Sequence, residues 1–309
     1  MASESSWDPA RLPSQSGKTV VVTGGNAGIG YFVSEQLAAA GARVVLASRS
    51  RERADAAAAS IRHRVAGAQV DFVHLDLASI GTVREAAEKL RKLDRIDALI
   101  NNAGGTSGNK QRTVTEDGLE SVVGANAFGP FVLTALVFPA LRDGARVVNL
   151  GSMATRLVKP DIQNLQLEHG KYNFFKAYAY SKHAMHAFSL ELHRRLTAAG
   201  SGVESLLAHP GFAVDGLSAR RHGINDQSAG RRLVDVLQGV MAHGKDRGAW
   251  PVVRAAIDPA AHGGEFYGPR RSVTGGPAIV EPIASSADPA FGAEFWRQAE
   301  VATGVTFTV

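Results

Sequence analysis

Short apolar runs alternate with segments of helical periodicity along most of the chain. Runs of five or six apolar residues without polar alternation are typical of strands that are buried on both faces. Between them, apolar side chains recur every fourth residue, as Ile29, Val33 and Leu37 do, which predicts helices. The predicted strands are 18–23, 42–47, 70–75, 96–101, 146–150 and 203–208, and the predicted helices are 28–40, 51–64, 80–93, 118–141 and 178–199.

This alternation predicts an α/β fold, a single Rossmann-like, doubly wound parallel sheet with helices on both faces. Residues 1–16 form a polar N-terminal extension, and 17–309 form one domain. Pro130 predicts a kink in the helix 118–141. The pattern is weakest over 212–262, where we expect a lid over the substrate and a core helix at 233–241. Ligands of such folds bind beyond the carboxyl ends of the strands, which directs attention to the segments that follow them.

A glycine-rich turn, Thr-Gly-Gly-Asn-Ala-Gly-Ile-Gly at 23–30, joins the first predicted strand to the first helix. Glycines let the backbone approach a pyrophosphate closely, and a helix N-terminus offers free N–H groups and positive potential. The turn therefore predicts dinucleotide binding, although a purely steric role for the glycines is the alternative. The residues expected to contact the dinucleotide here are Gly24, Asn26, Gly28, Ile29 and Gly30.

The end of the second predicted strand bears on the choice between NAD and NADP. An acidic residue there binds the 2′-hydroxyl of NAD, whereas an arginine accommodates the 2′-phosphate of NADP. Ser48 and Arg49 occupy this place, and a planar guanidinium suits a phosphate well. The sequence therefore predicts NADP(H) as cofactor, the alternative being that Arg49 is an ordinary surface arginine.

Two further motifs carry possible chemistry. Asn-Asn-Ala-Gly at 101–104 follows the fourth predicted strand, where it could tie loops together or be only a polar turn. Tyr178 and Lys182 are four residues apart and share one face of a helix. A nearby ammonium favours the phenolate and lowers a tyrosine pKa, which suits proton donation. Taken alone, the pair is equally compatible with packing and solvation.

In combination and in this order, these motifs resemble the short-chain dehydrogenase/reductase family over residues 17–211. His209-Pro210-Gly211 and the long separation of Ser152 from Tyr178 resemble its retinol-dehydrogenase-like branch. The resemblance implies Tyr178 as general acid in carbonyl reduction and Lys182 as the residue that holds the nicotinamide ribose and lowers the Tyr178 pKa. It further implies that Ser152 binds the substrate oxygen and that Asn126 positions a water linking Lys182 to solvent.

The same resemblance implies an NADP(H)-dependent ketoreductase, in which a hydride passes between nicotinamide and a ketone or aldehyde, or the corresponding alcohol. Asp76 would accept a hydrogen bond from the adenine amino group, and 265–269 resemble the last strand and loop of the branch. Besides Tyr178 and Lys182, the further implied cofactor contacts are Leu77, Asn102, Ala103, Gly104, Pro210, Gly211 and Asp215.

Three departures from the family pattern stand out. Twenty-five residues separate Ser152 from Tyr178, about double the common spacing, and we expect the insertion 155–176 to form one wall of the substrate pocket. Gly151 replaces a second serine, which would leave more room near the substrate oxygen. Asp215 replaces a threonine that meets the nicotinamide carboxamide in the family, which puts that contact in doubt.

The composition of the chain limits the classes of partner that we expect it to bind. The net charge of +5 comes from scattered basic residues without a long run, so no nucleic-acid partner is expected. With no cysteine there are no disulfides or thiolate metal sites, and no histidine spacing indicates a metal site. The first sixteen residues lack the pattern of a secretory signal, and no stretch approaches the ~20 apolar residues of a membrane span. We expect a cytoplasmic protein that acts on a small-molecule carbonyl or alcohol and forms a homodimer or homotetramer.

Two other functions compete with this one. A non-catalytic NADP(H)-binding sensor or scaffold would keep the glycine turn but would usually lose the tyrosine, lysine or serine, and all three are present at 178, 182 and 152. An epimerase or dehydratase on a related fold would need a larger, separate substrate domain, and the sequence offers none.

Overall fold

The computed structural model describes residues 7–105, 110–237, 239 and 241–309. Its strands, numbered in chain order, are β1 (Thr19–Thr23), β2 (Arg43–Ser48), β3 (Val70–His74), β4 (Ile96–Asn101), β5 (Leu141–Leu150), β6 (Glu204–Ala208), β7 (Ala213–Val214), β8 (His243–Gly244), β9 (Phe266–Pro269) and β10 (Pro277–Ile279). Its helices are α1 (Gly28–Ala39), α2 (Arg51–Arg64), α3 (Ile80–Leu90), α4 (Ser121–Val123), α5 (Gly129–Val137), α6 (Phe174–Ala198), α7 (Ala229–Leu237), α8 (Lys245–Gly248), α9 (Trp250–Ile257), α10 (Ala284–Ala287) and α11 (Pro289–Thr303).

Eight of these strands form one sheet in the order β10-β9-β6-β5-β4-β1-β2-β3. All neighbours in it are parallel except β9 and β10, which are antiparallel, while β7 and β8 form a separate two-stranded pair. The strand order reverses between β1 and β4, which is the point where ligands bind in doubly wound sheets. The predicted fold class is confirmed.

Hydrophobic cores cover both faces of the sheet, which explains why its strands are apolar throughout. Val21 of β1 belongs to the core that contains Phe131 and Phe188, from α5 and α6. Its neighbours Val20 and Val22 belong to the opposite core, beneath α1, α2 and α9. Successive side chains of a strand point to opposite faces, so a strand between two helical layers needs apolar residues at every position.

The helix predicted over 118–141 is a composite. It runs from α4 through a π-helical segment, Gly124–Phe128, into α5 and then a short 3-10 turn, Phe138–Ala140. Pro130 is the second residue of α5 and directly follows the π-helical segment. The hydrophobic periodicity of the sequence did not predict this π-helical segment, and Asn126 lies in the middle of it. Such π-bulges occur frequently at functional sites.

Two expectations about 212–262 are wrong. Among the residues of 233–241 that the structure describes, α7 ends at Leu237, and Val234, Val236, Leu237 and Met241 are 51%, 53%, 76% and 66% exposed, so they do not form a core helix. The whole of 212–262 is also not a lid. Helix α9 packs against β5 and β6 and lies in the core, so the peripheral part ends before it.

The expectation that no stretch is apolar enough to span a membrane is also wrong. By length and composition the helical stretch Ser121–Ala140 qualifies, with a mean hydropathy of 1.7. In the structure 72% of that window is buried inside the protein. This is the position of a core helix, which passes the same test, so the finding is weak evidence for a membrane span.

Candidate active site

A cleft of about 1030 Å³ opens at the carboxyl ends of β1, β2, β4 and β5. Most of the predicted site residues line this cleft. They come from segments remote in sequence, from the glycine turn at 23–30 to Pro210. Those that line it are Gly24, Asn26, Gly28, Ile29, Gly30, Ser48, Arg49, Asp76, Leu77, Asn102, Ala103, Gly104, Asn126, Tyr178, Lys182 and Pro210. Ser152, Gly211 and Asp215 are outside this lining and are described below.

Tight backbone packing shapes the glycine turn. A Cβ on Gly30 would lie 2.3 Å from the Gly24 carbonyl oxygen and 2.4 Å from Asn102 Nδ2, so a side chain has no room there. The Asn102 amide donates to the Thr23 carbonyl at 2.8 Å, and Ala103 N–H donates to Thr23 Oγ1 at 2.9 Å. The loops after β1 and β4 are thus held against each other. In this close arrangement the N-terminus of α1, which has no side-chain cap, opens into the cleft.

Serine and arginine side chains follow β2 at the far end of the cleft. Arg49 and Arg53 both line it, while Arg51 turns away and lies over the Phe72 ring at 4.9 Å. The Ser48 hydroxyl is buried and has no hydrogen-bond partner within the described part of the chain. A buried orphan hydroxyl beside two guanidinium groups fits an adenosine phosphate. Sequence reasoning missed Arg53, which lies in the first turn of α2, four residues after Arg49.

Asp76, after β3, forms the adjacent wall together with Leu77. One carboxylate oxygen of Asp76 accepts from Ala78 N–H at 3.0 Å, and Thr82 Oγ1 donates to the Asp76 carbonyl at 2.7 Å. These bonds fix the start of the turn before α3. The loop is thereby held rigidly in the wall that faces the glycine turn, the side on which an adenine would lie.

Tyr178 and Lys182 lie on one face of α6 at the other end of the cleft. Burial raises the pKa of Tyr178, and only a hydrogen bond with the Ser152 side chain opposes this. Lys182 Nζ donates to the Leu150 carbonyl at 2.9 Å and lies 5.9 Å from the Tyr178 ring centre. Burial lowers the pKa of Lys182 to about 8. The pKa of Tyr178 is therefore raised overall in this structure, and the lowering by Lys182 that the resemblance implies stays a prediction.

Asn126 lies beside this pair. Its amide donates to Ser181 Oγ at 3.2 Å, and Gly105 N–H donates to its Oδ1 at 3.3 Å. A Cβ on Gly104 would lie 3.1 Å from Lys182 Nζ and 3.5 Å from Asn126 Oδ1. The lysine and the asparagine therefore flank the same glycine in the lining of the cleft.

The ring of His186 occupies the space above Gly151, where the sequence predicted room for the substrate. A Cβ on Gly151 would lie 2.2 Å from His186 Nε2, and that nitrogen accepts from Ser152 N–H at 3.4 Å. The expectation that Gly151 leaves room near the substrate oxygen is therefore wrong. Burial holds the pKa of His186 well below its usual range, so the ring is a neutral acceptor behind Ser152.

Ser152 lines a small neighbouring cavity of about 10 Å³, roughly the space of one water molecule. The rings of His186, His209 and Phe266 form its inner side, with ring centres 5.1 and 5.2 Å from that of Phe266. Sequence reasoning considered the histidines only as possible metal ligands and gave His186 no role. Its i, i+4 spacing from Lys182 was the available signal.

Gly211 and Asp215 do not line the cleft. A Cβ on Gly211 would lie 2.3 Å from the Val273 carbonyl oxygen, so this glycine permits a close approach of two loops. Asp215 Oδ2 accepts from Lys245 Nζ at 2.6 Å. It is Lys245, a residue outside every predicted motif, that lines the cleft.

The insertion 155–176 contributes Tyr172 to the cleft. Tyr172 donates to Glu120 Oε1 at 3.1 Å, and burial raises its pKa to about 12. Leu165 and Leu167 are buried in the core beside α6. Tyr172 is thus the insertion's contribution to the cleft, while Thr155 and Arg156 line the small cavity beside Ser152.

Comparison with known proteins agrees with this geometry. The family model for short chain dehydrogenase matches residues 18–220. Polyprenol dehydrogenase of Mus musculus is 35% identical over 303 residues, covering 96% of this chain and 87% of the relative. Retinol dehydrogenase 13 of Homo sapiens is 42% identical over 200 residues, covering 64% of this chain, which spans 59% of that relative's length.

A crystal structure of a protein from Mycobacterium paratuberculosis matches the fold with a TM-score of 0.78 at 33% identity, covering 98% of this chain and 99% of that chain. The match extends beyond the motif region to both ends of the domain. Together with the glycine turn and the Tyr178–Lys182 pair in one cleft, these similarities show that the chain is an oxidoreductase of the short-chain dehydrogenase/reductase family, in its retinol-dehydrogenase-like branch.

Proposed function

We propose that the protein is an NADP(H)-dependent oxidoreductase that interconverts an apolar alcohol and its ketone or aldehyde, with Tyr178 as the general acid of carbonyl reduction. The observation that supports it best is the layout of the cleft. Arg49, Arg53 and the orphan Ser48 hydroxyl lie at one end, and the Tyr178 and Lys182 side chains lie at the other. An extended dinucleotide would place its 2′-phosphate near the arginines and its nicotinamide near the tyrosine.

The bound nicotinamide supplies the hydride that is added to the carbonyl carbon. The chain's own residues handle the oxygen. Tyr178 gives its proton to the carbonyl oxygen, and Ser152, hydrogen-bonded to Tyr178, polarises the same oxygen. Because burial raises the Tyr178 pKa, the hydroxyl is protonated at neutral pH, as an acid must be. Lys182 holds the ribose, and Asn126 positions the water through which the proton is restored.

Apolar side chains that line the cleft include Val122, Ala125 and Leu150, and Tyr172 adds an aromatic ring. Two relatives are named for retinol and a polyprenol, both of them apolar alcohols. These observations favour an apolar substrate over a sugar or an acid. Reduction with NADPH is the direction we propose, since the cleft carries the features of an NADP(H) site.

The test has two stages. Nicotinamide fluorescence should show tight binding of NADPH and weak binding of NADH; equal or absent binding would contradict the cofactor assignment. Retinal and aryl ketones should then be reduced by the wild type but not by Tyr178→Phe, which should still bind NADPH. Tyr180→Phe is the matched control, because Tyr180 lies in the same helix but is buried in the core. Turnover by Tyr178→Phe would refute the mechanism, and NADPH binding without any turnover would favour a non-catalytic sensor.

A further inference from the structure

One lysine of the cleft belongs to no motif of the family. Lys245 is the first residue of α8 and is reached from β8, more than 200 residues after the glycine turn. Its ammonium would lie 3.6 Å from a Cβ on Gly28, at the N-terminal end of α1. It lines the same cleft as Asn26 and Ile29 of the turn. A cation from the second half of the chain is thus held directly above the glycine turn.

The position of Lys245 is fixed by several contacts. Its N–H donates to Ser218 Oγ at 2.7 Å, and Gln36 of α1 donates to the Asp246 carbonyl at 2.8 Å. Helix α8 is therefore docked on the helix that the glycine turn begins. Asp215 holds the ammonium at 2.6 Å from the other side. The lysine is aimed by its neighbours and does not sample the solvent freely.

The electrostatics of this place call for an anion. The N-terminus of a helix carries a partial positive charge, and a cation beside it is unfavourable unless a negative group is present. The first turn of α1 has no acidic residue and Ala27 provides no side-chain cap. Asp215 neutralises one charge, whereas the free N–H groups of the turn remain available. The site therefore offers an anion the N–H donors of the turn, the partial positive charge of the helix N-terminus and the Lys245 ammonium, whose own charge Asp215 balances.

We propose that Lys245 binds the diphosphate of the dinucleotide, closing over it from the side opposite the glycine turn while Asp215 orients the ammonium. This rests on the proposed NADP(H)-dependent function. It also gives Asp215 a role: the carboxylate that replaces a threonine of the family holds the lysine instead of meeting the nicotinamide carboxamide.

The test measures binding by calorimetry with two probes, NADPH and adenosine 2′-monophosphate, which keeps the 2′-phosphate but has no diphosphate. Lys245→Met should weaken NADPH binding about tenfold, the scale of one charge-assisted contact, and change the Kd of the monophosphate less than about twofold. Arg247→Met is the matched control, since Arg247 is an exposed cation of the same short helix, and it should change neither.

Each outcome decides something. Equal NADPH binding by Lys245→Met and the wild type would overturn the assignment of Lys245 and leave the proposed function standing. Equal weakening of both probes would also overturn it, because the lysine would then act on the whole site and not on the diphosphate. Failure of the wild type to bind NADPH would overturn both proposals. A thermal melt of each variant separates lost folding from lost binding, and Lys245→Arg should restore the NADPH affinity if the charge is what matters.

Discussion

A serine at position 151 cannot share its space with the imidazole of His186. In Gly151→Ser the new Cβ would lie 2.2 Å from His186 Nε2 and 2.8 Å from Cδ2, distances that real Cβ atoms essentially never show. Neither partner can give way easily. Gly151 N–H donates to the Ala208 carbonyl at 2.8 Å at the end of the sheet, and the buried His186 ring packs against Phe266.

The size of the effect follows from this packing. Overfilling a close-packed interior costs about 1–3 kcal/mol, and the hydrogen bond from Ser152 N–H to His186 adds about 1 kcal/mol when it is lost. Together these predict a loss of roughly 2–4 kcal/mol in the free energy of unfolding, or a Tm lower by roughly 3–6 °C for a chain of this length. Because Ser152 moves with its backbone, kcat should fall about 100-fold, as displacements near 1 Å can cause.

The assay is a double-mutant cycle with His186→Val, which removes the ring atoms that collide with the serine. Thermal melts and kcat are measured for the wild type, each single variant and the pair. Gly151→Ser/His186→Val should recover most of the lost Tm, with a coupling energy of at least about 1 kcal/mol. Gly276→Ser is the control, since a Cβ there meets nothing within 4 Å. Additive effects, or a Gly151→Ser protein as stable and active as the wild type, would refute the reasoning.

Three further predictions concern charged groups. Arg49→Glu should raise the Kd for NADPH about tenfold or more and spare NADH, as measured by nicotinamide fluorescence. Burial lowers the pKa of Lys182 from 10.5 to about 8, so between pH 8 and pH 10.5 the unfolded chain binds more protons than the folded chain. The free energy of unfolding of the wild type should therefore rise over this pH range relative to that of Lys182→Met, as measured by denaturant titration. Arg254→Ala should cost about 3–5 kcal/mol in a denaturant titration, because it leaves Asp258 charged and buried, whereas Arg297→Ala, at an exposed pair, should leave the Tm unchanged.

Regular elements with clear ends could be predicted well from the sequence. Helix α2 and strand β4 have the predicted bounds, 51–64 and 96–101. The α2 start is marked by Ser50, whose hydroxyl accepts from Arg53 N–H at 3.2 Å. Helix α6 begins four residues before the predicted 178 because Asn173 caps it, accepting from Lys176 N–H at 3.1 Å. Asn is a common capping residue, so this boundary was available in the sequence and was missed.

Where tertiary contacts decide the structure, the sequence pattern was insufficient. The apolar residues of 233–241 have the spacing of a buried helix face. In the structure, however, other helices cover both faces of the sheet: α1, α2 and α9 on one side, and α5 and α6 on the other. Strand β5 begins at Leu141 and not at the predicted residue 146, because Leu141 pairs with Ile96 of β4. The register shifts after this pair, and the polar residues 142–144 are part of the same strand. Pairing partners are remote in sequence and leave no local signal.

The two departures at Gly151 and Asp215 have a common explanation. At each position a residue remote in sequence compensates for the departure. His186 fills the space above Gly151, and Lys245 neutralises the charge of Asp215. Read singly, the missing serine indicated extra room, which the His186 ring fills, and the aspartate made the nicotinamide contact doubtful, in agreement with its pairing to Lys245. Because both members of each pair meet only in the folded protein, restoring the family residue at one position should disturb the site, whereas changing both members together should be tolerated.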